Sequence, residues 1–129
     1  MSIERISVVD DGPPAIGPYS LAVIAEGKFV FVSGQLPYDP KVKAIVRGTV
    51  AEQTELSLKS MERILKGSGA SLKDVVSCRV FLQTLNPEIF AEMNAVYIKF
   101  FGDHKPARST VGVSLLGADV EIECIARIA

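Results

Sequence analysis

With two cysteines and one histidine in 129 residues, this chain has few of the side chains on which several chemistries depend. Cys78 and Cys124 each sit in an apolar, strand-like run, Val76-Ser77-Cys78-Arg79-Val80 and Glu121-Ile122-Glu123-Cys124-Ile125. They read as buried reduced thiols rather than a disulfide. There is no Cys-x-x-Cys pair, and His104 stands alone, so metal-ligand spacing is missing. No Gly-x-Ser-x-Gly elbow supports a nucleophilic serine. Neither Gly-x-Gly-x-x-Gly nor Gly-Lys-Ser/Thr is present to cradle a phosphate.

A basic surplus is missing too. Fourteen Lys and Arg stand against 15 Asp and Glu, a formal charge of -1, so nothing is left over to neutralise a phosphate backbone. Nucleic acid is therefore not an expected partner. No run of about 18 apolar residues is available to span a bilayer. Met1-Ser2-Ile3-Glu4-Arg5 carries acid early and lacks the apolar stretch of a secretory signal. A cytoplasmic protein with no membrane partner is expected. Hydrophobic residues at 48% and charged residues at 22% argue against disorder, and the length suits one domain, residues 1–129.

Two helices are clearly signposted. Thr49 and Glu52 form a capping box, and Val50, Thr54, Leu58, Met61 and Leu65 follow at helical spacing until Gly67 and Gly69. Asn86 caps a second helix with Pro87 at its first position. Ile89, Phe90, Met93, Val96, Tyr97, Phe100 and Phe101 give that helix a broad apolar face, read as core, and Gly102 closes it.

Strands are expected over Ile3–Val9, Ser20–Ala25, Phe29–Ser33, Val75–Thr84, Ser109–Val113 and Val120–Ala126, with a short piece at Ile45-Val46. Glu26-Gly27-Lys28 reads as a hairpin connection, whereas Asp10-Asp11-Gly12-Pro13-Pro14 and Pro37-Tyr38-Asp39-Pro40 read as loops. The implied fold is α+β, a mixed sheet with two helices packed on one face. The other face needs a cover, and self-association supplies one.

His104-Lys105-Pro106-Ala107-Arg108-Ser109-Thr110-Val111 puts one arginine just after a proline, at the mouth of a strand. A guanidinium is always charged and matches a carboxylate bidentately, so Arg108 is a candidate holder of a small organic acid. Tyr19, Ser33, Gly34, Asn94, Thr110, Glu121 and Glu123 complete a polar set at turns and strand ends. An arginine, a carboxylate and neutral donors suit binding a small acid and moving a proton near it. Tyr19 and Ser33 equally fit turn-stabilising roles, and Asn94 fits bracing a loop.

Five segments together resemble one family. Ala15-Ile16-Gly17-Pro18-Tyr19-Ser20, Phe31-Val32-Ser33-Gly34-Gln35-Leu36-Pro37, Met93-Asn94-Ala95-Val96-Tyr97, Lys105-Pro106-Ala107-Arg108-Ser109 and Val120-Glu121-Ile122-Glu123-Cys124-Ile125-Ala126 look like the Rid family. These are the reactive intermediate deaminases, also called the YjgF family, and the segments span nearly the whole chain. The resemblance implies a chorismate-mutase-like fold, a homotrimer around a central barrel of sheets, and three clefts between subunits. It implies hydrolysis of 2-aminoacrylate-type intermediates (2-iminobutanoate, 2-iminopropanoate) to 2-keto acids and ammonia, with no metal or organic cofactor.

Residue by residue, the family's carboxylate-binding arginine falls on Arg108, its tyrosine on Tyr19, its Ser-Gly on Ser33 and Gly34, and its helical asparagine on Asn94. The acidic residue that handles water and proton falls on Glu121 when the Glu-Ile-Glu motifs are superposed. That makes the Leu115–Ala118 loop about two residues shorter than the common pattern, and loops absorb deletions more readily than paired strands. An ungapped count from Arg108 selects Glu123 instead. Many members carry cysteine where this chain has Thr110. Two other readings stand beside the deaminase: a non-catalytic module binding a small carboxylate, and a ribonuclease or translation inhibitor.

Overall fold

Thr49 caps the first helix as its spacing predicts. Its hydroxyl accepts from the Glu52 N–H at 3.1 Å, and Glu52 Oε1 accepts from the Thr49 N–H at 2.8 Å. Two otherwise orphaned donors are thereby satisfied. Asn86 does the same for the second helix, accepting from the Ile89 N–H at 2.8 Å, with Pro87 in the first turn. The computed structural model describes residues 3–128, so the expected domain limits at 1 and 129 lie outside the described residues.

The elements run β1 (Glu4–Ile6), β2 (Ala22–Ile24), β3 (Lys28–Gln35), β4 (Tyr38–Asp39), β5 (Ala44–Ile45), α1 (Val50–Gly67), β6 (Val75–Leu82), α2 (Pro87–Phe101), β7 (Ala107–Gly112) and β8 (Val120–Ile128). A mixed four-stranded sheet has the order β3-β8-β6-β7. Its one parallel pair, β6 with β7, is joined through α2, because parallel neighbours need a crossover. β8 runs antiparallel to both β3 and β6.

Strand alternation decides which side faces the helices. On β8, Val120, Ile122, Cys124 and Ala126 are buried, and on β6 so are Cys78, Val80 and Leu82. Against them pack Leu58, Met61 and Leu65 of α1 and Met93, Tyr97 and Phe101 of α2. Each such side chain contributes about 1.5–3 kcal/mol by leaving water, so Leu58→Ala is expected to cost about 2–5 kcal/mol once its cavity is counted. Cys78 and Cys124 face each other across β6 and β8 as free, buried thiols. The opposite sheet face carries no helix. Phe31 there is 74% exposed, Phe29 is exposed on the same strand, and Val111 is exposed at the opposite sheet edge.

Several sequence-based expectations change. Glu26-Gly27-Lys28 is not a hairpin connection: β2 pairs with β1, whereas β3 pairs with β8. Pro37–Pro40 is not wholly loop, since Tyr38 and Asp39 form β4 and pair with Ala44 and Ile45. The β1–β2 ribbon instead reaches the start of β7. Ser20 bridges Ala107, its N–H donates to the Pro106 carbonyl at 3.0 Å, and its hydroxyl donates to the Lys105 carbonyl. That contact brings the Gly17-Pro18-Tyr19 turn over Arg108. Among the described residues, no helix is long and apolar enough to cross a membrane.

Candidate active site

Arg108 is the second residue of β7 and registers with Cys78, so its side chain projects onto the helix-covered face. Burial is its main electrostatic feature: desolvation lowers its pKa, with Tyr97, Cys78 and Tyr19 opposing that effect. Nη1 donates to Asn94 Oδ1 at 2.7 Å and lies 3.9 Å from the Met93 sulfur. The guanidinium carbon lies 4.7 Å from the Tyr97 ring centroid, 5.5 Å from Tyr19 and 5.6 Å from Phe90. Aromatic faces attract a cation by about 0.5–2 kcal/mol each, so this box holds the charge without neutralising it.

No carboxylate pairs with Arg108 among the described residues. Its Nε and Nη2 are buried and have no hydrogen-bond partner. Those two N–H groups share one edge of the planar fork, the edge that grips a carboxylate with two parallel bonds. The hydroxyls of Thr110 and Tyr97 are likewise buried and unpaired. Thr110 registers with Val80, so it lies on the same sheet face as Arg108. Tyr97 lies close to the Cys78 thiol without hydrogen-bond geometry. Burial raises the Tyr97 pKa and pushes Cys78 up to about 12, so both stay protonated near neutrality.

The Ile16–Tyr19 segment covers this box. The Ile16 N–H donates to the Tyr19 hydroxyl at 3.1 Å, closing the turn. Gly17 lets the turn approach closely: a Cβ there would sit 2.9 Å from Arg108 Nη2 and 3.4 Å from Asn94 Nδ2. A groove of about 540 Å³ opens beside the box, lined by Ile16, Phe90, Asn94, Ala95, Ile98 and Lys105 among others.

A second cluster lies elsewhere. β3 is irregular between Val32 and Gln35, where Ser33 and Gly34 together oppose the single residue Glu123 of β8, a bulge. A Cβ on Gly34 would collide with the Glu121 carboxylate, so this side chain lies directly against the bulge. Glu121 alternates with the buried Val120 and Ile122 and therefore lies on the helix-free face. Glu123 shares that face but is engaged: Arg79 Nη1 donates to its Oε1 at 3.0 Å.

The structure thus sorts the sequence candidates into two groups. Tyr19, Asn94 and Thr110 gather with Arg108 on one face of the sheet, while Ser33, Gly34 and Glu121 gather on the other. β6 separates Arg108 on β7 from Glu121 on β8. One protomer does not bring them together. The sequence reading also treated Phe90 and Tyr97 as core alone. Their spacing to Met93 and Asn94 (i, i+3, i+4, i+7) was the available sign that all four share one helix face.

A mixed sheet with two helices on one face, and a half-buried arginine whose fork has no carboxylate partner among the described residues, defines a small α+β protein. The comparisons place the chain more narrowly. A family model described as Endoribonuclease L-PSP matches residues 10–128. A RutC family protein of Pyrococcus horikoshii is 44% identical over 126 residues, covering 96% of this chain and 98% of that one. The human 2-iminobutanoate/2-iminopropanoate deaminase is 37% identical over 126 residues, covering 96% and 90%. The crystal structure of TdcF from E. coli with bound serine superposes with a TM-score of 0.70 at 35% identity, covering 98% and 100%. The chain belongs to the Rid (YjgF) family.

Proposed function

We propose that this protein hydrolyses 2-aminoacrylate-type enamines and imines, 2-iminobutanoate and 2-iminopropanoate among them, to 2-keto acids and ammonia. The observation that carries the reading is Arg108, a half-buried cation with two coplanar donors buried and left unpaired. Such a group costs stability, about 1–3 kcal/mol per unpaired donor, and a carboxylate ligand is the natural complement. The human relative's name supplies the imine chemistry, and the serine-bound neighbour supplies the precedent for a small amino-acid-like ligand.

In this reading Arg108 grips the substrate carboxylate through Nε and Nη2, with Asn94 holding the guanidinium by its third nitrogen. The Ile16–Tyr19 turn yields to admit the ligand. Thr110 and Tyr19 present hydroxyls near the bound acid. Glu121 is the acid–base residue that orients a water beside Ser33 and Gly34, and Glu123 stays with Arg79. An enamine first shifts a proton from nitrogen to its terminal carbon to become the imine. Water then adds to the imine carbon, with one of its protons passing to nitrogen. The second proton moves from the new hydroxyl to nitrogen as the carbon–nitrogen bond breaks, leaving the keto acid and ammonia. Orientation plus general acid–base help of about 10²–10⁴-fold suffices for so electrophilic a carbon.

Arg108 and Glu121 lie on opposite faces in one protomer, so the complete site requires a neighbour. We take the assembly to be a cytoplasmic homotrimer of one domain per chain, with each cleft shared by two subunits. The exposed Phe29, Phe31 and Val111 of the helix-free face supply apolar surface for that association. The family model's description favours a second reading, ribonuclease activity. A net charge of -1 gives that reading little electrostatic support.

The test is a coupled assay in which a pyridoxal-phosphate dehydratase generates the imine from threonine or serine and keto-acid release is timed. The protein should accelerate release, and Arg108→Ala should abolish the acceleration. Unchanged hydrolysis by Arg108→Ala would remove the mechanism. Ligand binding without turnover would convert the protein to a carboxylate-binding module. RNA cleavage surviving in Arg108→Ala would favour the ribonuclease.

A further inference from the structure

We propose that Gln53 and Asp119 form a positioning pair that fixes how deeply Glu121 reaches into the cleft. The inference rests on the reading of Glu121 as the acid–base residue. Gln53 lies in the first turns of α1 and is completely buried. Its amide is fully used. Nε2 donates to the Gly48 carbonyl at 2.9 Å and to Asp119 Oδ2 at 2.9 Å, while Oε1 accepts from the Asp119 N–H at 2.8 Å. One side chain thus grips both the main chain and the carboxylate of a single residue, directly before β8.

The same residue is held from the other side. The Asp119 carbonyl accepts from the Gln83 N–H at 3.0 Å, and Gln83 Oε1 accepts from the Leu115 N–H at 2.7 Å. Two glutamines therefore clamp the loop between β7 and β8, one from a helix and one from the end of β6. Asp119 makes no ion pair among the described residues. The bonds are directional, not a neutralisation of charge.

Fastening α1 to the sheet does not by itself require this. At the completely buried Gln53 position, a leucine or methionine would pack without the desolvation cost of an amide, whereas the Asp119 partner is only half-buried. What a polar clip adds is a unique register, because every donor and acceptor must meet its own partner. Register matters here. A slip of one residue would turn Glu121 to the opposite face. Val120, fully buried, is the sole residue between the clip and Glu121. Glu121 in turn rests on Gly34. The clip, the strand start and the bulge form one continuous line of contacts from α1 to the carboxylate.

Gln53→Met keeps the volume and removes all three bonds, whereas Asp119→Asn keeps an acceptor for Gln53 Nε2 and the N–H for Oε1. Steady-state kinetics and the Gly34 amide resonance are read together. Gln53→Met should lower kcat at least tenfold, leave KM within twofold because Arg108 is untouched, and displace the Gly34 resonance. Asp119→Asn should stay within twofold of wild type in both constants. If Gln53→Met fails to fold, Asp119→Ala carries the same readouts, with a loss of at least threefold in kcat expected. A folded Gln53→Met that leaves the Gly34 resonance in place overturns the proposal, whatever its kcat. If wild-type protein shows no imine hydrolysis, the proposed function fails, and the Gly34 resonance alone decides whether the clip positions Glu121.

Discussion

Arg108 Nη1 donates to Asn94 Oδ1 at 2.7 Å, so the site's cation is held in place by a neutral amide. The distinction between amide and carboxylate governs function, since a fixed counter-ion would compete with any anionic ligand. Asn94→Asp exchanges one heavy atom, the amide nitrogen for an oxygen, and supplies that counter-ion. It should stabilise the unliganded protein, because a half-buried unpaired charge gains a partner. It should also weaken 2-keto-acid binding by tenfold or more. Thermal unfolding with and without ligand measures both. A variant that binds the acid as tightly as wild type would show that Arg108 is not the carboxylate receptor.

Two glycines probe the two clusters separately. A Cβ at Gly17 meets the tip of Arg108, and a Cβ at Gly34 meets the tip of Glu121. In both cases the obstacle is the far end of a long side chain, so the backbone can stay while the functional group moves. Gly17→Ala should therefore raise KM about tenfold with little change in kcat, and Gly34→Ala should lower kcat with little change in KM. Steady-state kinetics on both variants, with circular dichroism to verify folding, checks the split. Parallel losses in both constants for both variants would refute this division of labour.

Much of this architecture was legible in the chain because the informative signals were local. Thr49 with Glu52, and Asn86 with Pro87, mark helix starts through bonds made within four residues. The alternation from Val120 to Ala126 announced which β8 side chains enter the core. The β2–β3 hairpin was misread for the converse reason. Glu26-Gly27-Lys28 has turn chemistry, but turn chemistry does not say which strands pair, and here β2 turns back to β1 across the Asp10–Tyr19 segment. The separation of Arg108 from Glu121 was hidden likewise. It depends on the register of β7 against β6, a non-local fact no motif states. Gln53 gave one sign only, its i+3 spacing from Val50 on the buried stripe, and its polar amide masked that.

Alkaline pH should unfold the protein earlier than its ordinary groups require. Burial pushes the Cys78 thiol up to about 12 and raises Tyr97 and Cys124 as well. Unfolding exposes these groups, whose ordinary values are 9.0 for the thiols and 10.0 for the phenol. Above those values the unfolded chain has released protons that the folded chain retains, so stability falls as pH rises. The contribution is intact below pH 9 and is lost from there toward 12 for Cys78. The slope reaches about 1.4 kcal/mol per pH unit for each fully buried group. Urea midpoints between pH 8 and 11 should decline, and less steeply in Cys78→Ala. A flat profile would mean that the thiol is solvated in the folded state.

Because β6 stands between Arg108 and Glu121 and their side chains leave opposite faces, the proposed mechanism requires that the two residues of one cleft come from different chains. Genetic complementation between subunits follows. Arg108→Ala and Glu121→Gln should each be inactive alone. After mixing in equal amounts and subunit exchange, a cleft is intact when its arginine comes from the Glu121→Gln chain and its glutamate from the Arg108→Ala chain. Random assembly of a closed ring makes about one cleft in four intact, so activity should recover to about a quarter of wild type. The recovery must grow at the rate of subunit exchange. If the mixture stays inactive after exchange is shown to be complete, both residues serve the same protomer, and the shared cleft must be abandoned.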